Sequence, residues 1–248
     1  MRFQMKIAAI IEARMTSSRL PGKIVRPIMG RPTLELLIER LLRSRYLNSI
    51  VIATTSNDTD DATENLAKRL RVGCYRGSED DVLDRVLKAA QTYNIDVIVE
   101  ITGDCPLIDP AVIDKLLAIY LEGDYDFVAN TLKETYPNGL DTRIFSRKIL
   151  EDVAELTQDP VDHEHVSLYI FEHPERYNLF NMESNLPEKF WGARLTVDTI
   201  EDFEVISRIF EELYPKKPAF SLEDIINLLE RRPELLEINR EIKQKEVR

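Results

Sequence analysis

Two cysteines, three histidines, one tryptophan and eight glycines in 248 residues leave little material for several common kinds of function. Cys74 and Cys105 show no CxxC spacing, which excludes a disulfide framework and suits a reducing compartment. His163 and His165 form an HxH beside Asp162 and Glu164, but no further ligand set accompanies them as a zinc site would need. On a helix, residues two apart also point in different directions. No apolar run approaches the roughly 20 residues of a membrane span. No charged-then-apolar export signal is visible, so a cytoplasmic location and no membrane partner are expected. Positive charge is scarce as well: 33 Lys and Arg stand against 44 Asp and Glu, for a formal net charge of -11. That balance argues against nonspecific nucleic-acid binding.

What the chain does have is regular alternation. In the run at 6–11, KIAAII, every residue after Lys6 is apolar, as expected of a parallel strand covered on both faces. Leu34, Leu37, Ile38, Leu41 and Leu42 then recur at helical spacing. Strands are expected at 49–55, 72–77, 96–102 and 125–130, with helices at 60–70, 79–93 and 109–123 between them. Asp109 is the N-cap of the last of these, with Pro110 at its first position. Such alternation indicates βαβ units and a mostly parallel, doubly wound sheet, an α/β class fold. Beyond residue 130 it loosens. The stretch 139–147 reads as a strand pairing elsewhere, HEHVSLYIFE as one helix, RYNLFNM and ARLTV as strands, and helices from about Thr199 and Ser221 close the chain. One domain over 1–248 is expected, with a nucleotide-binding half at 1–130, an acceptor lobe at 131–198 and closing helices at 199–248.

In open α/β sheets ligands bind beyond the carboxyl ends of the strands, where the strand order reverses. The loops following the first and fourth strands are EARMTSSRLPGK, 12–23, and TGDCPLIDP, 102–110. The first offers Arg14, Arg19 and Lys23; the second offers the carboxylate of Asp104. A polyphosphate with its divalent cation needs both kinds of group. The first loop is not a P-loop, because Gly22-Lys23 is followed by Ile24 and no earlier glycine has the required spacing. Asp198, in LTVDTIED, can reach the same sheet edge, although Thr199 and Asp202 next to it also resemble a capping box. Cys105 precedes a proline and reads as a small packed residue rather than a nucleophile.

Taken together, IIEARMTSSRLPGK, RGSEDDVLDR, ITGDCPLIDP, TYPNGLD, HEHVSLYI and LTVDTIEDFE resemble the cytidylyltransferases that make CMP-activated sugars. The likeness is to CMP-KDO synthetases and acylneuraminate cytidylyltransferases, and most closely to the branch of the spore-coat polysaccharide protein SpsF. It implies a three-layer α/β/α sandwich of the nucleotide-diphospho-sugar transferase type with a small acceptor lobe. It implies CTP as nucleotide, Mg²⁺ as cofactor and a small acidic, sugar-like acceptor as the other partner. Arg14 and Lys23 match the catalytic triphosphate cations, with Ala13, Ser18 and Arg19 in the same nucleotide-binding loop. Gly77, Ser78 and Arg85 fall where cytosine or its ribose is contacted. Asp104 and Asp198 match the metal ligands. Gly139, Asp141, Glu164 and His165 fall in the acceptor region. The family carries Gln or Pro at the position of Glu12, and often Gly at that of Thr16 or Ser17. A homodimer is compatible with the resemblance, though no apolar patch in the sequence requires one.

An acidic acceptor needs cations in an acidic protein, and Arg143 and Arg194 supply two, unless they are surface strand residues. Two other functions fit the same fold. A glycosyltransferase using a nucleotide-sugar would draw on a DxD, present here as Asp124 and Asp126, but these precede a strand rather than follow one. A module that binds CTP without turnover would lack one of the two metal carboxylates, and this chain has both.

Overall fold

The computed structural model describes residues 5–244; residues 1–4 and 245–248 of the expected domain lie outside those described. The chain begins with β1 (Ile7–Glu12), followed by a one-turn 3-10 helix at Lys23–Val25 and a small hairpin of β2 (Pro27–Ile28) and β3 (Arg31–Pro32). It continues through α1 (Thr33–Leu41), β4 (Ser49–Thr55), α2 (Asp61–Leu70), β5 (Gly73–Gly77), α3 (Val82–Thr92), β6 (Val97–Thr102), α4 (Pro110–Glu122) and β7 (Phe127–Ala129). Next are β8 (Arg143–Ser146), α5 (Arg147–Leu156), α6 (Pro160–Glu164), α7 (Leu168–Glu172) and β9 (Leu179–Asn181). Then α8 (Ile200–Leu213), α9 (Leu222–Arg231) and α10 (Glu234–Glu237) follow.

Seven strands form one sheet in the order β5-β4-β1-β6-β8-β7-β9, and only β8 runs antiparallel to its neighbours. The unbroken apolar character of β1 follows from burial on both faces. Ile7, Ala9 and Ile11 pack with residues of α1, α4, α8 and α9, whereas Ala8 and Ile10 pack with those of α3 and α5. Each fully buried Ile or Leu side chain contributes about 1.5–3 kcal/mol. The chain runs outward from β1 to β4 and β5, then returns to β6 on the other side of β1. The order therefore reverses at β1, and a crevice opens at the carboxyl ends of β1 and β6.

The expected helices and the first five main strands are present, with trimmed ends. The later segments differ. The strand within 139–147 covers only Arg143–Ser146 and enters the main sheet, with Arg143 opposite Glu100. HEHVSLYIFE is not one helix: the chain leaves helical geometry at His165 and restarts at Leu168, which lets Val166 enter the core. ARLTV is extended but is not a strand, because its backbone bonds go to loops: Leu195 N donates to Asn138 O at 2.8 Å and Val197 N to Asp104 O at 2.8 Å. Asp124 and Asp126 lie at the amino end of β7, where Asp126 accepts a hydrogen bond from Asn178 N at 2.9 Å and fixes the approach to β9. Among the described residues no helix is long and apolar enough to cross a membrane.

Candidate active site

The loop after β1 is held in shape from within and from below. Gly22 N donates to Met15 O at 2.9 Å, and Gly22 has φ of 68°, a turn that a Cβ would strain. Met15 N donates to the buried Asp60 carboxylate at 3.0 Å. Lys23 begins the 3-10 turn, and its carbonyl accepts from Thr33 Oγ1 at 2.6 Å. These bonds project the Lys23 side chain over the ends of β1 and β6.

There Lys23 Nζ lies 2.6 Å from Asp104 Oδ2 and 2.8 Å from Asp198 Oδ1. The two carboxylates are 94 positions apart in the chain but are joined through backbone: Asp104 O accepts from Val197 N, and from Thr196 Oγ1 at 3.2 Å. Asp198 also pairs with Arg19, whose Nη2 lies 2.9 Å away, and accepts from Arg194 Nη2 at 3.3 Å. Thr199 and Asp202 do form the capping box of α8, so Asp198 flanks a cap and faces the crevice at once. Burial pushes the Asp104 carboxyl up, but the Lys23 ammonium more than reverses this and holds it at about 2. Burial pulls the Lys23 ammonium down, and Asp104 and Asp198 together raise it above the usual lysine value.

The crevice is lined by Glu12, Ala13, Arg14, Ser17, Ser18, Arg19, Lys23, Ile24, Val82, Arg85, Thr102, Gly103, Asp104, Glu164, His165 and Asp198. Most of the residues assigned from sequence thus come together. Arg14 leans to one side, 3.4 Å from Glu79. Gly77 and Ser78 stand behind the wall: a Cβ on Gly77 would meet Arg85 Cγ at 3.0 Å, and Ser78 O accepts from Arg85 Nη1. They shape the crevice through Arg85. Gly139 and Asp141 are not among the lining residues. Gly139, at φ of 100°, passes so close to the Leu195 backbone that a Cβ would sit 2.3 Å from Leu195 O. Burial raises the Asp141 carboxyl, with Arg143 opposing and Asp104 adding to the rise.

Arg143 and Arg194 do not line the crevice, and each is held in an ion pair rather than freely solvated. Arg143 pairs with the buried Glu100 at 3.1 Å, and Arg194, itself buried, pairs with Asp202 at 2.8 Å. An ion pair or helix terminus supplies a home for each that sequence spacing does not disclose. Burial pushes the Cys105 thiol well above its ordinary value, in keeping with a packed rather than nucleophilic residue. His163 binds Asp81 at 2.9 Å and ties α6 to the cap of α3.

Glu12 is the group whose ionisation the sequence does not reveal. Burial, then the Glu100 carboxylate, raise its carboxyl to about 8 against the pull of Arg85 and Arg143. An unfolded Glu titrates near ~4.3. Between the two values the unfolded chain gives up a proton that the fold retains, so this group makes stability fall as pH rises from about 5 to 8. Glu12→Gln has no such proton. Its melting temperature relative to wild type should therefore climb across that window, and a difference independent of pH, measured by scanning calorimetry, would contradict the shift.

Two hard carboxylates with an ionised member suit a divalent cation that takes its remaining ligands from phosphate oxygens and water. Among the described residues no group of three or more His, Cys, Asp or Glu is placed to form an all-protein metal cage.

A family model described as Cytidylyltransferase matches residues 8–245. The chain is 34% identical to the spore coat polysaccharide biosynthesis protein SpsF of Bacillus subtilis, over 92% of this chain and 95% of that protein. It is 30% identical to a 3-deoxy-manno-octulosonate cytidylyltransferase of Solibacter usitatus, over 83% and 95% respectively. Its fold superposes with a TM-score of 0.89 on a cytidylyltransferase from Leptospira borgpetersenii, which is 34% identical and matched over 98% of this chain and 100% of the other.

Proposed function

The chain belongs to the cytidylyltransferase family, a group of nucleotidyltransferases, and we propose that it transfers CMP from CTP to a sugar acid or related acidic acceptor. Pyrophosphate is the other product, and the role is in making precursors of surface polysaccharide or other glycans. One observation carries this reading: carboxylates from two loops far apart in sequence converge on the lysine of the cation-bearing loop at the switch point of the sheet. The names of the Bacillus and Solibacter relatives support the glycan role and the acidic acceptor.

In the reaction an acceptor oxygen bonds to the α-phosphorus while the bond to the α–β bridging oxygen breaks. Lys23, Arg19 and Arg14 stabilise negative charge along the phosphates. Asp104 and Asp198 are the residues that would hold Mg²⁺, which polarises the α-phosphate and helps neutralise its charge. Glu164 and His165 line the crevice with them, which supports their role in meeting the acceptor. The glycosyltransferase alternative is disfavoured because Asp124 and Asp126 lie at the amino end of β7, away from the crevice.

Pyrophosphate release from CTP, measured across sugar acids, sugar phosphates and phosphonates, tests the reading; release with none of them counts against it. With the best acceptor, His165→Ala should raise the acceptor KM by about tenfold, the cost of one hydrogen bond to a charged group, without changing CTP affinity. Weakened CTP binding in that variant would move His165 out of the acceptor site.

A further inference from the structure

Asp198 is held in place by a buried arrangement that draws on residues well after it in the chain. Asp202, fully buried in the first turn of α8, accepts through Oδ2 from the backbone N–H groups of Asp198 and Thr199, both at 3.2 Å. The buried Arg194 grips the same carboxylate twice, Nε to Oδ1 at 3.1 Å and Nη2 to Oδ2 at 2.8 Å. Its Nη2 also reaches Asp198 Oδ2 at 3.3 Å, and its Nη1 donates to Gln244 Oε1 at 2.5 Å, so all three guanidinium nitrogens are engaged. Asn239, two residues beyond α10, completes the arrangement. Its Nδ2 donates to Asp202 Oδ1 at 2.8 Å and to the Arg194 carbonyl at 3.0 Å. Both partners are acceptors, which fixes the orientation of the amide. Asn239 is itself buried and does not line the crevice.

Arg194 thus divides its guanidinium between two carboxylates: Asp202, gripped by two nitrogens, and Asp198, touched by one at a longer distance. The further the guanidinium moves towards Asp198, the more of that charge it neutralises and the less remains for a divalent cation. Asn239 opposes such a movement at both ends. It pins Asp202 through Oδ1, which keeps Oδ2 on the Asp198 and Thr199 N–H groups, and it pins the Arg194 backbone through its carbonyl. Resting on the reading of Asp104 and Asp198 as the residues that hold the cation, we infer that Asn239 is a positioning residue for the metal. Acting through Asp202 and Arg194, it keeps the Asp198 carboxylate oriented and its charge available to the cation that accompanies the nucleotide. Partners that orient metal ligands from behind typically contribute about 10–100-fold to metal affinity or activity.

The test compares calorimetric titrations of CTP into the full chain with magnesium and with EDTA in its place. Wild type should bind CTP more tightly with magnesium, and Asp198→Asn should lose that gain. Asn239→Ala should match wild type in EDTA, where there is no metal to hold, and lose about tenfold in affinity with magnesium. Asn239→Ser keeps a hydroxyl donor that can reach one of the two partners; it should lose part of the gain, and it serves where the alanine variant does not fold. Val153→Ala, in α5 and packed against the other face of the sheet, should melt at a lower temperature yet keep the full magnesium gain, which separates lost stability from lost positioning. The full wild-type gain in whichever Asn239 variant folds, or an equal loss in magnesium and in EDTA, would overturn the inference and leave the metal role of Asp198 standing. No magnesium gain in wild type, or a gain untouched in Asp198→Asn, would refute that metal role and this inference with it.

Discussion

Asp104→Asn should fold as wild type does and transfer CMP at least about a hundredfold more slowly. The fold should survive because the lacing to the second carboxylate loop uses the Asp104 carbonyl, which accepts from Val197 N and Thr196 Oγ1, and not the side chain. The amide can still accept from Lys23. What it cannot do is carry the negative charge that a divalent cation requires. Asp198→Asn should show a similar loss of rate, but it also loosens Arg19 and Arg194 and so perturbs more of the structure. A correctly folded Asp104→Asn protein, checked by circular dichroism, that turns over within about tenfold of wild type would remove Asp104 from the reaction.

Lys23→Ala should have the largest combined effect on binding and stability. The ammonium neutralises two carboxylates whose side chains are only 19% and 9% exposed. Breaking a buried pair by deleting one partner costs about 3–5 kcal/mol, because the remaining charge is left unpaired. The sign of the pH response follows from Asp104. Its carboxyl is held at about 2 in the fold, below its value in the unfolded chain. The stabilisation it contributes is therefore present above about pH 4 and lost as pH falls towards 2. Lys23→Ala should lack that dependence and melt well below wild type at neutral pH, with added magnesium recovering more stability in the variant than in wild type. Transition-state stabilisation should fall by about 2.7–4 kcal/mol, the cost of losing one oxyanion contact. CTP should suffer more than CMP, since the β- and γ-phosphates need the cation too. Equal weakening of CTP and CMP in titrations would separate Lys23 from the triphosphate tail.

The central sheet is legible from sequence because parallel strands buried on both faces write nearly continuous apolar runs, as in 7–11 and, interrupted only at Glu100, 97–101. Once those strands are placed, their carboxyl-end loops identify Arg14, Lys23 and Asp104 without knowledge of any side-chain contact. Asp198 is only half legible: its neighbours announce a helix cap, while its approach to Asp104 depends on loop-to-loop backbone bonds with no periodicity of their own. Arg143 is misleading in sequence because its partner, Glu100, lies on a strand 43 residues away and is reached only through the β6–β8 register. Glu12 fails for a related reason. A glutamate at the end of an apolar run looks like a solvated strand end, and only its own burial and the Glu100 carboxylate beside it raise its carboxyl, against the pull of Arg85 and Arg143.

The most direct measurement follows the fate of CTP labelled at the α-phosphorus when it is mixed with excess enzyme, magnesium and the best acceptor. Transfer predicts that the label moves into a CMP–acceptor conjugate while unlabelled pyrophosphate appears in equal amount. Label left wholly in CTP, or released as free CMP without a conjugate, would contradict it.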